Sequence, residues 1–175
     1  KHRDLFTFLL SLLCYSCGST TVVALAAVYA EQVMGFKTNE SIILIMVVNV
    51  TAAVGAFIFG FIQDKVGSVR TIAVTLALWS LAIFIAFATT NKEGFWLAAN
   101  IMGIAMGASA SAGRALVGRL SPAGRSAEFF GLWGLSVKLS AIIGPMTYGL
   151  VTYLSGSNYR LALLSTLMFF ILGLV

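Results

Sequence analysis

Long apolar runs separated by short polar connectors dominate the sequence. Five stretches contain no Asp, Glu, Lys or Arg: residues 5–30, 41–63, 71–91, 94–113 and 139–159. About 20 apolar residues cross the hydrocarbon core of a bilayer as a helix, and each stretch approaches or exceeds that length. A sixth apolar run, 161–175, is shorter and stops at the end of the chain. The pattern predicts an all-α integral membrane protein.

We predict six helices in a single transmembrane domain that covers residues 1–175. Their expected bounds are 4–34, 40–63, 70–90, 94–120, 126–154 and 159–175, with the last helix truncated. The connectors are short and carry Gly, Asn, Ser and Pro, which favour turns. Successive helices should therefore be antiparallel neighbours in one bundle. Because the chain begins with Lys1 rather than Met, we expect a fragment cut at both ends.

The composition also favours a membrane location. Of the 175 residues, 59% are hydrophobic and 10% are charged, whereas soluble domains average about 25% charged residues. The net charge is +5, but the basic residues are scattered singly, so we expect no nucleic-acid-binding face. Six basic residues flank one side of the predicted bundle and three flank the other. The positive-inside rule then places both termini in the cytoplasm.

Glycine divides the predicted helices into two kinds. Eleven of the 17 glycines lie within the first, second, fourth and fifth helices, whereas the third helix has none and the sixth has only Gly173. Small residues let membrane helices approach closely, so we expect these four helices to pack inside while the third and sixth face lipid. The glycine-poor helix is third in each triplet, as in two three-helix repeats of inverted topology.

Polar side chains occur at mid-membrane depth, where they are costly unless they are paired or line a wet cavity. Lys138 lies 12 residues into the fifth helix, about 18 Å along its axis. Its charge has three interpretations. Helix carbonyls and Asn or Ser side chains can satisfy it at a helix interface, it can bind an anion or a carboxylate, or it can pair with a residue of a missing half of the protein. Arg114 can join such a site or snorkel to the cytoplasmic surface. We predict a substrate site from Lys138, Arg114, Asn49, Asn100, Ser16 and Thr20.

Two motifs carry a family resemblance. Residues 60–70, GFIQDKVGSVR, resemble the G-x-x-x-D-[RK]-x-G-[RK]-[RK] loop of the major facilitator superfamily, with Ser68 and Val69 at usually basic positions. Residues 114–145, from RALVGRLSP through SAEFFGLW to Gly144 and Pro145, are similar to the vacuole-effluxer-like branch. That branch is related to autophagy-associated vacuolar amino-acid effluxers of fungi and is widespread in bacteria. The resemblance implies the C-terminal six-helix half of a twelve-helix transporter.

The loop motif predicts a gate at the cytoplasmic side. Asp64 at a helix end can accept hydrogen bonds from the start of the fifth helix or pair with a basic residue such as Arg119 or Arg125. The resemblance implies that such a latch holds the cytoplasmic side shut in one state and breaks in the other. The residues predicted to form the gate are Gly60, Asp64, Lys65, Gly67, Arg70 and Glu128. Gly144 and Pro145 are predicted to kink or locally unwind the fifth helix.

The expected function is secondary transport of a small solute by alternating access, and the family resemblance favours an amino acid or another carboxylate. The expected partners are this solute, the lipid bilayer and a missing N-terminal six-helix half. The sequence does not decide whether a proton is coupled to transport. The membrane is the inner cell membrane in a prokaryote or the vacuolar membrane in a fungus. The alternative is a non-transporting scaffold whose intramembrane Lys and Arg pair with a partner subunit.

Several kinds of chemistry lack the residues they need. The histidine His2 stands alone at the chain start, so we expect no histidine-based metal site and no Ser–His dyad. Cys14 and Cys17 form a C-x-x-C inside an apolar helix, where packing is the better interpretation. No phosphate-binding G-x-x-x-x-G-K-[ST] sequence occurs. We therefore predict no enzyme and no cofactor.

Overall fold

The computed structural model describes residues 2–122 and 124–174, which are helical apart from short turns. Lys1, counted above among the cytoplasmic basic residues, and Val175, the predicted end of the last helix, lie outside the described residues. The helices of the described part are α1 (His2–Gln32), α2 (Thr38–Val66), α3 (Ser68–Ala88), α4 (Lys92–Leu120), α5 (Ser126–Leu154), α6 (Tyr159–Ser165) and α7 (Leu167–Gly173).

Helices α1 to α5 are long and apolar enough to cross a membrane, and α6 with α7 forms a shorter apolar segment. Side chains start two of the helices. The side-chain oxygen Oδ1 of Asn91 accepts a hydrogen bond from the backbone N–H of Gly94 at 2.9 Å. The side-chain oxygen Oδ1 of Asn158 accepts one from the backbone N–H of Leu161 at 3.1 Å. These bonds satisfy donors that the first turn of a helix leaves free.

Most bounds lie within about two residues of the prediction, and two differences matter for the site and the fold. Helix α2 continues to Val66, so Asp64 and Lys65 lie in its last turn rather than in a loop. Gly67 alone connects α2 to α3, with φ at +93°, a backbone conformation that favours glycine. The segment predicted as one final helix is divided at Thr166.

The packing of the helices follows the predicted triplets. Helix α4 packs against α2 and α3, and α1 packs against α5 and α7. The first helix of each triplet thus contacts the second and last helices of the other triplet. This exchange is the arrangement expected of two related three-helix units.

Glycines allow the closest helix contacts. A Cβ at Gly107 of α4 would collide with the Ala52 carbonyl of α2, and a Cβ at Gly144 of α5 would collide with the Cys17 carbonyl of α1. At Gly60, by contrast, a Cβ would meet nothing nearer than the Ser111 hydroxyl at 3.9 Å. The close approach of α2 therefore occurs deeper in the bundle than the loop motif.

The structure shows how much of each helix the rest of this chain covers, and the expected division into inner and lipid-facing helices stays a prediction. In its most apolar window α3 has 44% of its residues buried, against 17% for the corresponding windows of α2 and α5. Helix α3 packs on α4, and its buried residues include Thr75, Ala82 and Ala86, which are small enough to replace glycine at a helix interface. Helices α2 and α5 instead each leave a broad apolar face uncovered, with Phe57 and Ile142 among its residues.

Candidate functional site

A cavity of about 440 Å³ lies between α1, α4 and α5, beside the middle of α1. Its size is typical of a pocket for a small ligand. Its walls are mainly apolar, and its polar lining residues include Tyr15, Ser16, Thr20, Ser109, Arg114 and Trp133. The cavity therefore combines one charged group with a few polar groups in apolar surroundings.

Arg114 is the charged residue in the lining of this cavity. Its Nε donates to the Ala110 carbonyl one helical turn earlier at 3.0 Å, which holds the side chain along α4. No ion pair joins the guanidinium to an acid among the described residues, so its two terminal nitrogens remain able to donate. A guanidinium with free terminal donors matches the geometry of a carboxylate.

Two further donors in the cavity lining meet beside Gly113 of α4. Tyr15 is 4% exposed, and its hydroxyl lies 3.0 Å from the place where a Cβ on Gly113 would stand. The indole Nε1 of Trp133 lies 3.9 Å from the same place. Because Gly113 has no side chain, both donors can approach α4 at this point. Arg114, Tyr15 and Trp133 thus give the lining of the cavity three donors, which favours an anionic ligand group.

Sequence reasoning missed Tyr15 and Trp133. The site residues predicted from the sequence include neither of them. Among the other tyrosines, the hydroxyl of Tyr29 donates to the Ala86 carbonyl at 3.2 Å, and that of Tyr148 lies 3.4 Å from the Tyr159 carbonyl. The spacing of Tyr15 with Ser19, four residues apart on one face of α1, was the available signal.

The predicted hydroxyl residues Ser16 and Thr20 do line the cavity. Thr20 donates to the Ser16 carbonyl at 2.6 Å, and Ser109 across the cavity donates to Met106 at 3.1 Å. Hydroxyls that bond to their own helix in this way offer a ligand their lone pairs rather than their protons. The donors available to an anion therefore include Arg114, Tyr15 and Trp133.

The structure does not bring Lys138, Asn49 or Asn100 into this cavity. Lys138 is exposed on α5, and it points about 100° away from the cavity-lining Val137 because each helical residue turns by that angle. Asn49 lines a neighbouring pocket of about 70 Å³. The Asn100 side chain donates to the Trp96 carbonyl at 2.8 Å.

Asn49 is nevertheless close to the cavity. Its pocket and the cavity share the wall residues Val23 and Met106. The same small pocket is lined by Trp79, whose indole nitrogen is buried without a hydrogen-bond partner. A change in the position of Val23 or Met106 would join the two spaces.

The predicted latch between Asp64 and the start of α5 is not formed in this structure. Asp64 and Lys65 are exposed at the end of α2, and no ion pair joins Asp64 to a basic residue within 2–122 and 124–174. Arg125 and Glu128 bind each other instead, through two hydrogen bonds of 2.8 Å. The Glu128 carboxylate is therefore paired within the start of α5 and not with α2.

The Gly144–Pro145 pair does not unwind α5, which is helical from Ser126 to Leu154. Pro145 cannot donate a helical hydrogen bond. The Thr147 hydroxyl lies 2.7 Å from the carbonyl oxygens of both Ile143 and Gly144, which adds a polar contact beside the proline. A bend of the helix at this point stays a prediction.

Metal-binding groups are not gathered in the part of the chain that the structure describes. No three His, Cys, Asp or Glu side chains there come close enough together to hold an ion. Cys14 and Cys17 are free thiols on α1.

Comparison with known proteins identifies the family. The family model described as "Vacuole effluxer Atg22 like" matches residues 1–175. The MFS-type transporter YxiO of Bacillus subtilis is 24% identical over 175 residues, which are 100% of this chain and 40% of that protein. Autophagy-related protein 22 of Candida glabrata is 29% identical over 161 residues, 86% of this chain and 30% of that protein.

Solved structures of peptide transporters share the fold. A proton-dependent oligopeptide transporter matches with a TM-score of 0.85 at 17% identity, over 97% of this chain and 40% of its own. A peptide transporter in complex with sulfate matches with a TM-score of 0.86 at 16% identity, over 99% of this chain and 36% of its own.

These matches confirm the predicted all-α membrane fold of the major facilitator type. The chain spans between 30% and 40% of the length of the relatives and structures compared here. Because the family model covers the whole sequence, the chain belongs to the Atg22-like vacuole effluxer family of major facilitator transporters.

Proposed function

We propose that this chain forms part of a secondary transporter that binds the carboxylate of a small solute, an amino acid in class, in the cavity between α1, α4 and α5. The observation that carries the proposal is the guanidinium of Arg114, which lines a mainly apolar cavity and forms no ion pair with the described residues. The donors of Tyr15 and Trp133 beside Gly113 support it. A carboxylate would bind there through charge-assisted hydrogen bonds, which are stronger than neutral ones.

The rest of the solute would contact the apolar walls. Leu12, Val23 and Met106 line the cavity beyond the polar end. Apolar lining with a few oriented polar groups is the usual composition of a small-molecule site. We therefore expect the carboxylate to fix the orientation of the solute and the apolar walls to accept the remainder of the molecule.

Transport requires that the cavity open alternately to the two sides of the membrane. In our proposal the uncovered faces of α2 and α5 rock against a further set of helices, an N-terminal six-helix half outside this chain. The relatives are long enough to supply it, since this chain covers 40% of YxiO. The bacterial relative suggests a cell membrane and the fungal relatives suggest the vacuolar membrane, with both termini cytoplasmic.

Asp64 at the end of α2, which is exposed and forms no ion pair with the described residues, fits a gate in its open state. We propose that the segment of Gly60, Asp64, Lys65, Gly67 and Arg70 contacts the start of α5 near Glu128 in the closed state. Asp64→Asn should then slow exchange of the solute while leaving its binding at equilibrium intact. Asp64→Asn that exchanges at the wild-type rate would contradict this role.

The experiment for the proposed function is counterflow with the full-length protein in liposomes. Vesicles loaded with a pool of unlabelled amino acids should accumulate labelled amino acids from outside, and the uptake should saturate. Repeating the assay across an imposed proton gradient tests whether a proton is coupled. A folded protein that gives no saturable exchange with any pooled amino acid would contradict the proposal and favour the scaffold interpretation.

A further inference from the structure

Lys138 carries a charge at a depth where water is scarce. It follows Ser126, the first residue of the 29-residue helix α5, by 12 residues, which corresponds to about 18 Å along the axis. The ammonium is exposed and forms no ion pair or hydrogen bond with any described residue. A charge in the interior of a membrane has to face water or be paired, because hydrocarbon does not solvate it.

The face of α5 that carries Lys138 is open. The side of α5 that packs on the other helices carries the buried residues Ser140, Gly144 and Tyr148. The Lys138 side is a stripe with successive spacings of three and four residues, made up of Gly131, Gly134, Lys138, Ile142, Pro145 and Gly149. A Cβ at any of its three glycines would meet no atom within 4 Å.

The shape of this stripe favours a protein neighbour over lipid. Residues spaced by three and four lie along one side of a helix. Small residues on such a side form a shallow groove that lets a second membrane helix approach closely. Ile142, which is 58% exposed, supplies an apolar side chain for that contact.

This chain has no acid that can neutralise Lys138. Each of its six acidic residues lies near the end of a helix. The nearest along α5 is Glu128, ten residues away and already paired with Arg125. Asp64 lies in the last turn of α2, which packs against α4. Any carboxylate partner of Lys138 must therefore come from outside residues 1–175.

We propose that the stripe on α5 binds a membrane helix that belongs to the same transporter but lies outside residues 1–175, and that this helix places an Asp or Glu carboxylate against the Lys138 ammonium. Lys138 is then a residue of an interhelical ion pair rather than of the solute site. Charge complementarity selects the partner, and the glycines of the stripe let its backbone come near. The pairing does not depend on which solute the cavity binds.

Carbodiimide cross-linking of the full-length protein in its membrane tests the pairing. Dicyclohexylcarbodiimide enters the bilayer and activates a carboxylate, which then forms an amide with an amine in contact with it. We expect the wild-type protein to give a cross-linked peptide that joins Lys138 to an acidic residue outside residues 1–175. Lys138→Arg keeps the positive charge but offers no amine for the amide, so that peptide should be lost.

Charge reversal provides a second readout. Lys138→Glu should show less solute exchange and a smaller yield of folded protein than the neutral Lys138→Met, because it places a second carboxylate against the partner's acid. Changing the cross-linked acid to Lys should restore both properties to Lys138→Glu. The proposal is overturned if wild-type protein gives no such cross-link, or if Lys138→Glu behaves like Lys138→Met. A transporter that shows the cross-link without amino-acid exchange would contradict the proposed function alone.

Discussion

Substitution of Gly107 by Ala tests the packing of α4 against α2. A Cβ at this position would collide with the Ala52 carbonyl, which is backbone and cannot rotate away. The two helices must then separate by on the order of 1 Å, and such a gap removes a substantial part of the dispersion energy of their contact. Overpacking of this kind costs about 1–3 kcal/mol, and the rigidity of the carbonyl places Gly107→Ala near the upper end.

The net effect follows after allowing for helix propensity. Alanine stabilises a helix interior by about 1 kcal/mol relative to glycine, so Gly107→Ala should destabilise the protein by about 2 kcal/mol. Gly118 lies on the same helix, and a Cβ there would meet nothing within 4 Å. Gly118→Ala is therefore a matched control, with an expected stabilisation of about 1 kcal/mol.

Thermal unfolding of the full-length transporter in detergent measures the difference. The relative that this chain covers to 40% is about 2.5 times as long, and an unfolding entropy of about 2.1 cal/mol/K per residue then gives about 1 °C per kcal/mol. Gly107→Ala should therefore lower the Tm by about 2 °C, and Gly118→Ala should raise it by about 1 °C. Equal Tm values for the two variants would refute the close α2–α4 contact that places Arg114 at the cavity.

Three further substitutions test the site and its surroundings. Arg114→Gln should weaken solute binding by roughly 10- to 100-fold, whereas Arg119→Gln, which changes an exposed arginine outside the cavity on the same helix, should leave binding unchanged in the same assay. Trp133→Phe keeps an aromatic ring but removes the Nε1 donor, so solute binding measured by isothermal titration should weaken by roughly 2- to 10-fold with the Tm unchanged. Wild-type affinity in this variant would show that the Trp133 Nε1 does not contact the solute. Glu40→Gln breaks an ion pair of 2.6 Å with Lys92 in which both side chains are 42% exposed. Its cost should be small and should shrink in high salt, because water and ions screen an exposed pair, which unfolding at two salt concentrations can check.

The helical architecture could be predicted because hydrocarbon imposes it. Charged residues are excluded from the middle of most spans, so gaps between charges show where helices lie. The direction in which each side chain points is harder to predict. Val137 and Lys138 are adjacent, but the rotation of about 100° per residue places Val137 in the cavity lining and Lys138 on the open side of α5.

The donors of the candidate site were also difficult to find from sequence. Tyr15 and Trp133 belong to different helices, 118 positions apart in the sequence, and their shared neighbour Gly113 lies on a third helix. Nothing local in the sequence indicates that they meet. Tyr and Trp also occur often at membrane interfaces, so the residue type of Trp133 points first to an interfacial position rather than to a binding site. Only the packing of α1, α4 and α5 brings the three positions together.

Close contacts of glycine show the same limit. Gly103 and Gly107 have the G-x-x-x-G spacing of closely packed membrane helices, and a Cβ at either position would meet backbone atoms of α2. Gly60 has the same residue type but meets no close neighbour. The sequence indicates that a glycine permits close approach, and only the register between two helices determines whether the approach occurs.

The most direct test of the central claim is whether a solute occupies the cavity between α1, α4 and α5. Ser19 lines this cavity, so Ser19→Cys can be made in a full-length protein whose Cys14 and Cys17 are replaced by Ala. We predict that a water-soluble methanethiosulfonate reagent modifies this cysteine and that saturating transported solute slows the modification, whereas Ser80→Cys on α3 stays unreactive. The claim would be contradicted if the reagent did not modify the cysteine at position 19, or if its rate of modification were the same with and without the solute.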